Sequence, residues 1–136
     1  METKFNFKSA ICTSRSQSER LLALGLKKET ADMAHNKNTI IQKYKVVPVS
    51  HWDLLSELEE ATYIPAWSLG RLVEMLNEEV YGGLLCIFKD SIRYEEVIMD
   101  RFVAHFEVVG DNMYENTISC IEWLIKEGYF NKEYLV

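Results

Sequence analysis

Residues 82–109 read GGLLCIFKDSIRYEEVIMDRFVAHFEVV, and this run decides the fold class. Gly82-Gly83 resets the chain, Leu84 to Lys89 is a short apolar run, and Asp90-Ser91 has turn chemistry. Ile92 to Met99 and Phe102 to Val109 then alternate imperfectly between apolar and polar residues, the pattern of half-buried strands in a meander. A period of two places Phe102, Ala104, Phe106 and Val108 on one face. Strands this close in sequence pair antiparallel. The expected class is α+β, a small and mostly antiparallel sheet of three to four strands with about four helices packed on it. The 136 residues are expected to form one domain, 1–136, with an ordinary buried core.

The helices are announced by their ends. After the meander, Asn112 with Glu115 three residues on marks a helix start, and Gly128 marks a stop. Between them Ile118, Ile121, Leu124 and Ile125 form one stripe, which predicts a helix over Met113 to Glu127. Upstream, Ser68 precedes Leu69, Leu72, Val73 and Leu76 at helical spacing, and Trp67 before the cap can staple onto Leu72. Trp67, Leu69, Leu72, Leu76, Ile121 and Leu124 are the expected core. A first helix begins near Ser14 or Ser16, since Ser14/Gln17 and Ser16/Glu19 both have capping-box spacing, and ends before Gly25. Another is expected from about Trp52 to Ala61, broken by Ile64-Pro65-Ala66. Thr39 to Val49 has strand chemistry, ended by Pro48 near an edge.

Charge is uneven along this acidic chain of net charge −6. Residues 1–50 hold nine Lys and Arg against four Asp and Glu, whereas residues 51–80 hold one against seven. General attraction to nucleic acid or anionic lipid is not expected, the basic first third excepted. No run approaches the roughly 18 apolar residues of a spanning helix. Met1 to Lys8 alternates Phe5 and Phe7 with Lys4 and Lys8, without a leader's unbroken apolar core. Cys12, Cys86 and Cys120 stand far apart beside apolar neighbours, as small buried hydrophobes do in a reducing cell. The expected compartment is the cytoplasm.

Chemistry-bearing motifs are sparse. His35, His51 and His105 are solitary, and Asp32 and His35 alone have a ligand-like spacing, short of the four ligands of a structural zinc site. No cysteine lies in a setting that lowers a thiol pKa. No phosphate-cradling glycine loop or nucleophile elbow occurs. The serines around Ser14 are explained by helix capping, and no cofactor or metal is expected. Glu57, Glu59, Glu60, Glu74, Glu78 and Glu79 fall on the polar faces of two expected helices. Of these Glu57, Glu60, Glu74, Glu78 and Glu79 form a candidate partner surface for a basic protein, against the plainer reading of a solvated face.

Three strings carry a resemblance. They are Cys12-Thr13 through Gln17-Ser18 and on to Thr30-Ala31-Asp32-Met33, then Pro65-Ala66-Trp67-Ser68-Leu69, then Trp123-Leu124-Ile125-Lys126-Glu127-Gly128-Tyr129. In this order they resemble a family of small uncharacterised proteins of gut bacteria, their phages and integrated mobile elements. That resemblance implies a small α+β domain and carries over no catalytic residue. The shared strings are read as fold determinants.

Three functions follow as expectations. The first is a non-catalytic accessory or protein-interaction domain of phage or mobile-element origin, with an unknown protein partner and a homodimer left open. The second is a small hydrolase or transferase whose site assembles only in the fold, with Asp32, His35, His105 and Cys120 as its first suspects. The third is a nucleic-acid regulator that gathers Lys27, Lys28, Lys37, Lys43 and Lys45 on one face.

Overall fold

The computed structural model describes residues 9–38, 43–52 and 62–136. Among them are three α-helices and seven strands in two antiparallel sheets, so the α+β class holds. The single sheet of three to four strands is corrected to two sheets, and three of the about four expected helices lie among the described residues. The helix expected over Trp52 to Ala61 lies outside the described residues, except for Trp52 itself, which is buried.

Helix α1 spans Arg15–Ala23. Its register is decided at Ser14, whose hydroxyl accepts from the Gln17 amide while the Gln17 side chain accepts from the Ser14 amide. At the other end Gly25 takes φ +101°, and the Gly25 and Leu26 amides reach back to the Leu22 and Leu21 carbonyls. These two bonds form a Schellman stop, which needs a residue at ease with positive φ.

The first sheet has the order β2-β1-β3, with β1 over Met33–Asn38, β2 over Lys43–Pro48 and β3 over Tyr63–Ala66. Its centre, β1, reads as polar in sequence, and β3 holds Pro65 at a sheet edge where a missing amide is tolerated. Neither was expected as a strand, because both are specified by pairing distant in the chain. Met33 pairs Ala66 on one side and Pro48 on the other.

This junction joins the first two of the strings named above. The Trp67 indole donates to Thr30 Oγ1 at 2.9 Å, and the Trp52 indole to the Ala31 carbonyl at 2.9 Å. Asp32 accepts from the Ser68 amide and hydroxyl, and Thr13 Oγ1 accepts from the Trp67 amide. Two large indoles are thereby buried with their N–H groups satisfied.

Helix α2 spans Leu69–Glu74, capped by Ser68. It is shorter than its apolar stripe, because the Met75 and Leu76 amides tighten onto carbonyls of the last turn. Glu78 and Glu79, expected on a helical face, therefore lie beyond it, with Glu79 in the two-residue strand β4, Glu79–Val80. Strands β5 (Gly83–Phe88), β6 (Ser91–Ile98) and β7 (Arg101–Val109) complete a sheet of order β4-β5-β6-β7.

Helix α3, Met113–Glu127, has the expected ends: Asn112 Oδ1 accepts from the Glu115 amide, and Gly128 is left-handed at φ +79°. One core joins both sheets and all three helices, including Leu21, Ala34, Trp67, Leu72, Tyr94 and Ile121. Of the expected core, Trp67, Leu72, Leu76, Ile121 and Leu124 are buried and Leu69 is half-buried. No helix among the described residues is long and apolar enough to cross a membrane.

Candidate interaction surface

A bulge in β7 sets the surface chemistry of the second sheet. Tyr94 pairs Phe106 and Glu95 pairs Ala104, so His105 is an extra residue on β7. Past it, the side-chain alternation of β7 changes phase. Phe106 stacks on Trp123 of α3 at 4.8 Å, and Val108 packs on the core. Ala104 and Phe102 turn to the opposite, outer face with Glu95 and Val97. The expectation that Phe102, Ala104, Phe106 and Val108 share a face is thus corrected by one inserted residue.

The outer face is built in cross-strand rows. Phe88 stands by Ser91 and Val109, Cys86 by Arg93 and Glu107, Leu84 by Glu95 and Ala104, and Val97 by Phe102. Polar groups occupy the middle rows. Arg93 Nε is 2.6 Å from Glu107 Oε2, an ion pair without hydrogen-bond alignment, and its guanidinium covers the Phe88 ring at 4.8 Å. Apolar groups occupy both ends. Leu84 is 59% exposed, Phe88 45%, Val97 62%, Phe102 73% and Val109 64%. Five such side chains leave on the order of 500 Å² of apolar surface on one face, divided between its two ends by the polar middle rows. Cys86, expected to be buried, is half-exposed here because β5 turns it outward.

On the inner face His105 Nε2 meets Glu96 Oε2 at 2.8 Å, and the His105 ring passes over Gly83, where an added Cβ would lie 3.0 Å from it.

The suspected catalytic residues do not assemble. Asp32 caps α2 with Ser68, and His35 Nε2–H donates to the Thr13 carbonyl at 2.8 Å. His105 belongs to the other sheet. Cys120 is fully buried, and burial pushes its thiol up to about 12. Cys12 is also buried, and burial with the nearby Asp32 carboxylate raises its thiol pKa. A cleft of about 370 Å³ touches Cys12 and His35, but the one is a poor thiolate and the other is bonded to backbone. Among the described residues no three His, Cys, Asp or Glu side chains converge as a metal site.

Nor do Lys37 and Lys45 share a face. Lys37 pairs Tyr44, whereas Lys45 pairs Asn36 on the opposite face of the first sheet, and Lys27 and Lys28 lie in the turn after α1. Of the acidic candidates, Glu74, Glu78 and Glu79 are exposed, and Glu57 and Glu60 lie outside the described residues. Glu74 is partly engaged by Arg71 at 3.7 Å. The apolar face escaped the sequence reading because its signal lies in the register and bulge of β7.

Comparisons with protein-family models, with curated proteins and with solved structures find no match to the chain.

Proposed function

We propose that this chain is a non-catalytic protein-interaction domain. One observation carries the reading: an outer sheet face with large apolar side chains at both ends and an ion-paired centre, exposed to solvent. Exposed apolar clusters bordered by polar groups mark contact sites. The dispersal of Asp32, His35, His105 and Cys120 into structural roles supports the same reading over a hydrolase or transferase. Separation of Lys37 from Lys45 argues against the nucleic-acid regulator. The free cysteines, two of them buried, support a reducing cytoplasmic setting, and the accessory role fits a mobile-element origin.

The acidic residues Glu74, Glu78 and Glu79 are a second contact surface under this reading, exposed at and just beyond the end of α2. The two surfaces separate by affinity purification from the native host. Phe102→Asp should lose the proteins that co-elute with wild type if the sheet carries the contact, and the Glu74→Lys/Glu78→Lys double variant should lose them if the acidic surface does. Co-elution unchanged in both sets of variants would overturn the interaction reading.

A further inference from the structure

We infer that the occupant of the outer sheet face is a second copy of this chain, packed sheet on sheet about a two-fold axis that crosses β6 between Arg93 and Glu95. The inference rests on the interaction reading and adds its partner and register. Its first support is the order of chemistry along β6, where Ser91, Arg93, Glu95 and Val97 alternate onto the outer face. A two-fold axis lying between the sheets and across the strands reverses that order in the facing copy. Arg93 then meets Glu95 of the other copy, and Glu95 meets its Arg93. On β7 Val109 meets Phe102 of the other copy, apolar on apolar, and on β6 Ser91 meets Val97, with no like charge opposed. Self-complementarity of this kind is what an isologous interface requires.

Area is the second support. The apolar ends, together with the exposed parts of Ala104, Glu95, Arg93 and Glu107, approach the roughly 800 Å² per partner of a stable interface. Sheets so stacked lie about 10 Å apart, close enough for Phe102 to reach Val109 of the other copy.

The test uses the full chain in sedimentation velocity, with circular dichroism as a check that each variant is folded. Wild type should sediment as a dimer at micromolar to tens of micromolar concentration. Phe102→Asp should be monomeric throughout. Arg93→Glu and Glu95→Arg each oppose two like-charged pairs across the axis, and each alone should weaken the dimer about tenfold or more. In a mixture of the two, one copy carries acidic groups at both positions and the other carries basic groups at both. Opposite charges then face each other in both cross-axis pairs, and the mixture should recover wild-type association. A wild-type chain monomeric over this range overturns the inference, yet leaves the interaction reading standing if Phe102→Asp still loses co-eluting proteins. A dimer untouched by Phe102→Asp, or a mixture no tighter than its components, also overturns it.

Discussion

Ala104 and Phe106 are two residues apart on β7 and lie on opposite faces of the sheet, because the bulge at His105 falls between them. Phe106 reaches Trp123 and the core, while Ala104 shares the outer face with Phe102 and Val97. A single extra residue thereby divides Phe106 and Phe102 of one strand between the core and the solvent-exposed outer face. The His105–Glu96 hydrogen bond and the close approach of His105 to Gly83 hold the bulge in place. Gly83→Ala should shift the His105 ring and destabilise the sheet by about 1 kcal/mol or more, read by denaturant melts.

The second hairpin carries avoidable strain. Ile98 pairs Arg101, so Met99-Asp100 is a two-residue turn, and both residues hold positive φ, +50° and +63°. Two-residue turns with this geometry favour Asn-Gly. Replacing Met99-Asp100 by Asn-Gly should therefore stabilise the fold by about 1 kcal/mol, from the left-handed cost of a non-glycine residue. A thermal melt that does not rise would contradict the assignment of strain.

Ser68 does more than cap α2. Its Oγ accepts from the Arg71 amide and donates to Asp32. Ser68→Ala should cost about 1 kcal/mol or slightly more. Ser68→Gly, a mild change at an ordinary cap, should here cost nearly as much because Asp32 loses its hydroxyl donor. Deeper in the core, Leu72→Ala should cost about 2–5 kcal/mol, as Leu72 has no exposed surface. Chemical denaturation of the three variants reads both expectations.

Glu115 ties α3 to α1. Its carboxylate accepts from the Gln17 side-chain amide at 2.9 Å and pairs with Arg20, and these contacts hold its pKa below the ordinary 4.5. A carboxyl with a lowered folded pKa contributes stability in full above its unfolded value, and loses it as pH falls through the folded value. Unfolding free energy should thus decline as pH drops below about 4.5, and Glu115→Gln should flatten that decline. The half-exposed pair is screened by solvent, so the effect is small. Identical pH profiles for wild type and variant would contradict it.

What was legible in the sequence was local. Asn112, Glu115 and Gly128 define α3 because capping chemistry acts within four residues. Ser68 does the same for the start of α2, whereas the spacing left α1 to start at Ser14 or Ser16 and only the Ser14–Gln17 bonds decide it. The polar strand β1 was not legible, since its residues are strand only by pairing β2 and β3. Pro65 read as a helix breaker and serves as an edge-strand residue. The candidate site was hidden for a similar reason. Net charge drew attention to Glu74, Glu78 and Glu79, whereas the exposure of Phe102 depends on a phase change at His105 that no residue type announces.

Reversal of Glu74 and Glu78 to Lys should leave stability within about 0.5 kcal/mol of wild type, as exposed positions do. A larger loss in a denaturant melt would place these carboxylates in the fold's own support.

Under the proposed interaction reading, Phe102 on the outer face of β7 serves contact and Phe106 on the inner face serves folding. Denaturant unfolding of Phe102→Asp beside Phe106→Ala, at concentrations too dilute for association, tests this division most directly. Phe102→Asp should stay within about 0.5 kcal/mol of wild type, while Phe106→Ala should lose about 2 kcal/mol or more with its stacking on Trp123. Equal losses, or a greater loss at Phe102, would contradict it.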